Sequence, residues 1–317
     1  MKCKKKGKRN RINSRTQTGT IMKSKNSISR RSAFKSVASG VAALAFFQKG
    51  YANQEEKFIT EPPLKGNINH SVCRWCFGSM PLEELAVRTK KMGLMGIDLI
   101  GPKEWHILKE HGLDSTMCNG AEISLVEGWN DPQYHTTLIE RYTKHIEMVA
   151  DAGYTNLICF SGNRNGMDDE VGLKNSEKGL KKILSLAEKR GVVIQMELFN
   201  SKVDHKDYMC DKSAWGIELC KRLDSPNFKL LYDIYHMQIN EGDIIRTIQE
   251  SHEYFGHYHT AGVPGRNEID ETQELFYPAI MKAIVATGFK GVVAQEFIPK
   301  AKDGLESLRK AVQLCDV

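Results

Sequence analysis

The first 52 residues contain no aspartate or glutamate, although they carry 14 lysines and arginines. That imbalance accounts for the formal net charge of +6, because the remaining chain holds 31 Lys and Arg against 39 Asp and Glu, a net of −8. So acidic a body excludes a general nucleic-acid binder, which needs clustered basic side chains to neutralise phosphate. Also missing is an apolar run of the roughly 20 residues that a bilayer-spanning helix requires. The candidate at 37–47 is about half that length, so no stable membrane anchor is expected. No G-x-G-x-x-G opens the first helical segment, and a dinucleotide-binding fold therefore lacks its fingerprint. No repeat of the solenoid kind is visible. Cysteines number eight, yet the pair Cys73-x-x-Cys76 has no second pair to complete a zinc site. Cys118, Cys159, Cys210, Cys220 and Cys315 stand in apolar surroundings and are expected to be buried free thiols.

What the N-terminal segment does contain is an address. Ser29-Arg30-Arg31-Ser32-Ala33-Phe34-Lys35 precedes the Ala-rich apolar run, and Gly50 and Ala52 supply small residues near a cleavage position. The arrangement resembles a twin-arginine export signal over 1–52. It implies the twin-arginine machinery as a partner and the periplasm or cell envelope as destination. Residues 1–21 are a further basic stretch, which makes Met22 the more usual start for such a signal. Residues 53–66 read as a polar, proline-containing linker, and 67–317 as the catalytic domain.

From there the chain alternates. Strand-like runs fall at 68–73, 96–100, 114–118, 156–160, 192–198, 229–232, 256–258 and 291–294. Helical patterns follow at 82–92, 103–111, 133–152, 169–190, 212–223, 243–251, 277–287 and 304–314. Gly93, Gly112, Gly191 and Gly288 stand where helices end with a left-handed residue. Strict alternation points to a parallel sheet, since each parallel connection needs a crossover of about a dozen residues or more. Eight such units predict a (β/α)8 TIM barrel, whose chemistry sits at the C-terminal ends of the strands. The longest loops follow the third, fifth and seventh strands, where function tends to reside.

Four successive strands each deliver one candidate ligand to that rim. Glu197 closes VVIQMELF, Asp233 follows Leu230-Leu231-Tyr232, His259 ends the run that begins at Phe255, and Glu296 closes GVVAQEF. Two glutamates, an aspartate and a histidine form a mostly hard donor set, suited to one divalent ion such as Mn²⁺, Mg²⁺ or Co²⁺. His236 lies three residues past Asp233, close enough to face the same mouth. Gly262, Pro264 and Gly265 shape a loop that would bring Arg266 over a substrate oxygen. A guanidinium offers a planar fork of donors to a carboxylate or polyol. His257, beside His259 in the same run, is expected to face the other side of the strand and to be structural.

The pieces SVCRWCFG, GPKEWHILKEHGL, CFSGNR, ELFNSKVDH, LLYDIYHMQ, HYHTAGVPGRNEID and QEFIP together resemble the hydroxypyruvate isomerase branch of the xylose isomerase-like barrels, a group that also includes ketose 3-epimerases. The likeness runs from about Asn67 to Val317. It implies one divalent metal on Glu197, Asp233, His259 and Glu296, and substrate contacts from His236 and Arg266. Hydroxypyruvate isomerases usually have glutamine where this chain has His259, the residue typical of the epimerases.

Such a site favours proton abstraction through an enediolate, with Glu197 and Glu296 as the two carboxylates that remove and return the proton. The expected function is a metal-dependent isomerase or epimerase of a small sugar or hydroxy-keto acid. A keto-sugar dehydratase or lyase would use the same site. From other classes, an endonuclease-like phosphodiesterase would need several zinc ions and many histidines, and a non-catalytic sugar-binding protein would not need the full ligand set. The oligomeric state is left open, self-association included.

Overall fold

The computed structural model describes residues 63–317, so the export signal at 1–52 and most of the linker at 53–66 lie outside the described residues. Eight short strands form: β1 (Asn69–Cys73), β2 (Gly96–Ile100), β3 (Asp114–Cys118), β4 (Asn156–Cys159), β5 (Val193–Glu197), β6 (Phe228–Asp233), β7 (Phe255–Thr260) and β8 (Val292–Gln295). Nearly every residue in them is buried, without the in-out alternation of a half-exposed sheet. That is the signature of strands covered by helices on one face and by the barrel interior on the other. They pair in parallel in chain order, and β8 returns to β1, closing the barrel.

Between and after the strands run α1 (Leu82–Lys91), α2 (Trp105–Glu110), α3 (His135–Asp151), α4 (Asp169–Arg190), α5 (Ser213–Leu223), α6 (Ile234–Asn240), α7 (Ile244–Ser251), α8 (Tyr277–Ala286) and α9 (Gly304–Cys315). In α4 the local logic is plain. Asp168 caps its first turn by accepting from the Glu170 amide, and Gly191 ends it at φ 69°. Its buried residues Leu173, Leu180, Ile183, Leu184 and Ala187 fall at helical spacing, and each large one contributes about 1.5–3 kcal/mol by leaving water. None of the described helices is long and apolar enough to cross a membrane.

Each strand and helix expected from the sequence is present, with ends within two residues of the expected ones. One element was not expected. Helix α6 begins immediately after β6, because the Asp233 side chain accepts from the His236 amide and so starts the turn. Its Ile234 and Met237 are buried, which holds it against the barrel.

Register sets the height of each rim residue. Glu197 pairs with Leu231, Asp233 with His259, and His259 with Ala294. Asp233 and His259 are therefore level, whereas Asp233 lies two residues beyond the partner of Glu197 and Glu296 two beyond the partner of His259, so the strands are staggered. Glu296 lies just past β8, yet its amide still donates to Thr260 O at 2.9 Å and continues the ladder.

Candidate metal centre

Glu197 and Asp233 are the last residues of β5 and β6, His259 is the penultimate residue of β7, and Glu296 follows β8. The stagger brings one donor atom from each within 4.8 Å of all the others. All four residues are buried, at no more than 3% exposure. His259 Nδ1 lies 2.8 Å from Glu296 Oε2 and 3.2 Å from Glu197 Oε1. Glu197 Oε1 has no hydrogen-bond partner among the described residues, although it is fully buried.

The electrostatics are unbalanced. Burial and the nearby Glu296 push the Glu197 carboxyl above its ordinary range. Burial likewise pushes Asp233 well up, against the pull of Arg266. Burial alone would do the same to Glu296, but Arg266 and His259 hold it well below the usual carboxylate value. Burial disfavours charge on His259, yet its neighbours Cys73, Glu296 and Asp98 raise it well above an ordinary histidine. Three buried carboxylates thus share one guanidinium and one imidazole. A buried charge without a partner is costly, and a divalent cation is the partner this donor set lacks. The orphaned Glu197 oxygen and the convergence of hard oxygens fit such an ion.

Arg266 reaches the same carboxylates from above. Its Nη2 lies 3.2 Å from Asp233 Oδ2 and donates to Glu296 Oε2 at 2.5 Å. The loop that aims it is tight: Val263–Pro264 is cis, Gly265 has φ 95° and Arg266 φ 57°. Gly262 is required there, since a Cβ would sit 2.3 Å from Glu268 O. The guanidinium lies between two rings, 5.1 Å from the Trp75 centroid and 5.2 Å from that of Tyr235. His236 is wholly buried beside it. Asn200 Nδ2 lies 2.6 Å from His236 Nδ1, and Arg266 Nη1, which can only donate, lies 2.9 Å from Nε2. Burial holds His236 well below the usual histidine value, and so neutral.

The expected face of His257 is wrong, although nothing in its contacts contradicts a structural role. It faces the same interior as His259, with the two rings 5.3 Å apart and both Nε2 atoms on Asp98. Side chains two apart on a strand share a face, because the period is two. The sequence also left Trp75, Asp98 and Asn200 without individual roles. Trp75 and Asn200 each lie a few residues beyond a strand end, a position that could have flagged them. Cys73, the first member of the C-x-x-C pair, stands 3.6 Å from His259 Nε2, and burial pushes its thiol well up. Cys76 is only partly buried, whereas the other cysteines of the barrel are buried and, as expected, all are free.

The profile of the xylose isomerase-like TIM barrel family matches residues 104–311. The chain belongs to that family. Among curated relatives, this xylose isomerase-like barrel is 33% identical over 112 residues to a 2-oxo-tetronate isomerase of Cupriavidus necator, covering 35% of the chain and 42% of the relative. It is 31% identical over 116 residues to a Homo sapiens protein provisionally named a hydroxypyruvate isomerase, covering 36% and 42%. The matched stretch thus spans less than half the length of either relative. A solved structure named as an AP endonuclease, family 2, from Brucella melitensis superposes with a TM-score of 0.64 at 22% identity, over 76% of this chain and 97% of that one. At that identity the likeness shows the fold, and the fold does not choose the chemistry.

Proposed function

We propose that this barrel is a divalent-metal-dependent isomerase or epimerase of a small ketose or hydroxy-keto acid. The observation that carries the proposal is the buried donor set of Glu197, Asp233, His259 and Glu296, gathered within 4.8 Å at the rim where such barrels do their chemistry. When bound there, an ion of the Mn²⁺, Mg²⁺ or Co²⁺ kind polarises a substrate carbonyl and its neighbouring hydroxyl, which acidifies the C–H between them.

The side chains supply the rest. Strands β5 and β8 are separated by two strands on one side of the closed barrel and by four on the other, so Glu197 and Glu296 flank the substrate from different sides. Each has one oxygen for the ion and a second for the substrate proton. Glu197, with its raised affinity for a proton, is suited to take and hold one. His236 and Arg266, in contact through Nε2 and Nη1 at 2.9 Å, stand beside the carboxylates as the contacts for a substrate oxygen. Return of the proton to the same carbon from the other face is epimerisation, and delivery to the adjacent carbon is isomerisation. Loss of a leaving group from the same enolised substrate would make the enzyme a lyase, which product analysis separates.

A multinuclear phosphodiesterase fits the site poorly, because this donor set contains a single histidine. The deciding experiment is a deuterium-exchange screen with the full-length, metal-loaded protein across keto-sugars and hydroxypyruvate in heavy water. Incorporation next to a carbonyl is expected. A loaded protein that catalyses no exchange with any of them would leave a binding protein as the better account. We also propose that the protein is exported, on the pattern around Arg30 and Arg31, and acts in the periplasm or cell envelope.

A further inference from the structure

We propose that Asp98 is a positioning residue that fixes the tautomer and ring angle of His259, so that Nδ1 presents a lone pair to the cation; this rests on the metal-binding function proposed above. Asp98 lies on β2 and is completely buried. Its side chain reaches past β1 and β8 to two histidines of β7. Oδ2 is 2.6 Å from His257 Nε2 and 3.1 Å from His259 Nε2. Oδ1 accepts from Thr116 Oγ1 and lies 2.7 Å from Ser71 Oγ. An ionised carboxylate has no proton to give and acts only as an acceptor. The proton between Asp98 and His259 therefore sits on Nε2.

That assignment determines what the other nitrogen can do. Nδ1 is the atom that faces Glu296 and Glu197 at 2.8 and 3.2 Å. With Nε2 protonated, a neutral His259 has its lone pair on Nδ1, which is what a ligand to a cation requires. Cys73 Sγ, 3.6 Å from Nε2, is a weak competitor beside a carboxylate. His257 braces the pair from below. Its Nε2–H holds the same Asp98 oxygen, and its buried Nδ1 has no partner among the described residues.

The backbone is shaped to deliver this one side chain. The pairing of β2 with β3 shifts register on both sides of Asp98. The next residue, Leu99, has φ 63°, in the left-handed region that leucine rarely adopts. A bulge re-aims a side chain, and strain of this kind persists where the surroundings over-determine it. The packing around Asp98 supplies that over-determination, since both of its oxygens are held from β1, β3 and β7.

The test uses full-length protein labelled with ¹⁵N-histidine and loaded with Mg²⁺, which is diamagnetic. Long-range ¹H–¹⁵N correlation reads each tautomer, and the signal lost in His259→Gln identifies residue 259. The expected result is Nε2–H with a lone-pair Nδ1 in the unmutated protein. In Asp98→Asn the amide can donate to Nε2, so the tautomer should switch to Nδ1–H and the Mg²⁺ and Mn²⁺ dissociation constants should rise about 10- to 100-fold. A role in stability alone would lower the melting temperature and leave tautomer and affinity unchanged, and that result would overturn the proposal. So would an Nδ1–H signal in the unmutated, loaded protein, which needs no variant to fold. Thr116→Val keeps the carboxylate and removes one of its donors, and should retain the tautomer with a few-fold weaker affinity. Failure of the unmutated protein to bind any divalent ion overturns the metal site itself, whereas unchanged affinity in Asp98→Asn overturns the role of Asp98 alone.

Discussion

Trp75 donates its indole N–H to Glu296 Oε1 over 2.7 Å, while its ring lies 5.1 Å from the Arg266 guanidinium. One residue thus holds the outer oxygen of a candidate base and the cation beside it. Trp75→Phe keeps a ring over Arg266 and removes the donor. A hydrogen bond to a charged group is worth about 1.5–3 kcal/mol, and at this half-exposed position kcat/KM should fall about tenfold. An unchanged rate would mean that Trp75 only covers the site.

Asp233→Asn and His259→Ala each remove one donor from the set. Metal content by elemental analysis should fall from one ion per chain in both variants, and chelation of the unmutated protein should abolish activity that Mn²⁺, Co²⁺ or Mg²⁺ then restores. Full occupancy in both variants would show that the ion sits elsewhere.

Glu197→Gln and Glu296→Gln should lower turnover by about 10² to 10⁴ or more, the usual cost of a positioned base with weakened metal binding added to it. Solvent deuterium exchange with each variant reloaded with metal is the measurement. Exchange at the unmutated rate by either one would reduce that glutamate to a structural role.

His70 carries a pH signature away from the site. It is buried, neither ring nitrogen has a hydrogen-bond partner among the described residues, and Asp316 is 3.9 Å away. Burial lowers its pKa to about 4, despite the opposing pull of Asp316. Because this lies below the unfolded value near 6.5, the unfolded chain takes up the proton first as the medium is acidified. The stability held above pH 6.5 is therefore lost as the pH falls toward 4, by up to about 3 kcal/mol. Urea midpoints at pH 7.5, 6 and 4.5 should show a shallower acid slope for His70→Leu than for the unmutated protein. Identical slopes would mean that Asp316 satisfies the charged ring.

Replacement of Arg30 and Arg31 by lysine should trap a full-length precursor, whereas the unmutated protein should yield a shortened form in the envelope fraction. An uncut protein that stays with the cytoplasmic fraction would remove the export proposal.

Some of this was legible in local pattern. Alternating apolar runs and helical stretches located all eight strands to within two residues, and the glycines at 93, 112, 191 and 288 take the positive φ expected past helix ends. Acidic residues and a histidine at four consecutive strand ends marked the rim. Where the reading of pattern failed, the cause was specific. Helix α6 follows β6 without a loop, and seven residues capped by the last residue of the strand left no separate helical pattern to read. His257 was assigned the wrong face although a spacing of two places it beside His259.

The sequence by itself determined where the chain turns and which residues end each strand, because helix caps and strand periodicity are set by neighbours a few positions apart. Only the tertiary structure decided which of those residues meet. Asp98 and His259 are 161 positions apart and touch because the closed barrel brings β2 and β7 across a shared interior. The height of Glu296 beside His259 depends on the stagger between β7 and β8, and the aim of Asp98 on a bulge next to a left-handed leucine. Register, closure and bulge are properties of paired strands, and no single strand's residues encode them alone.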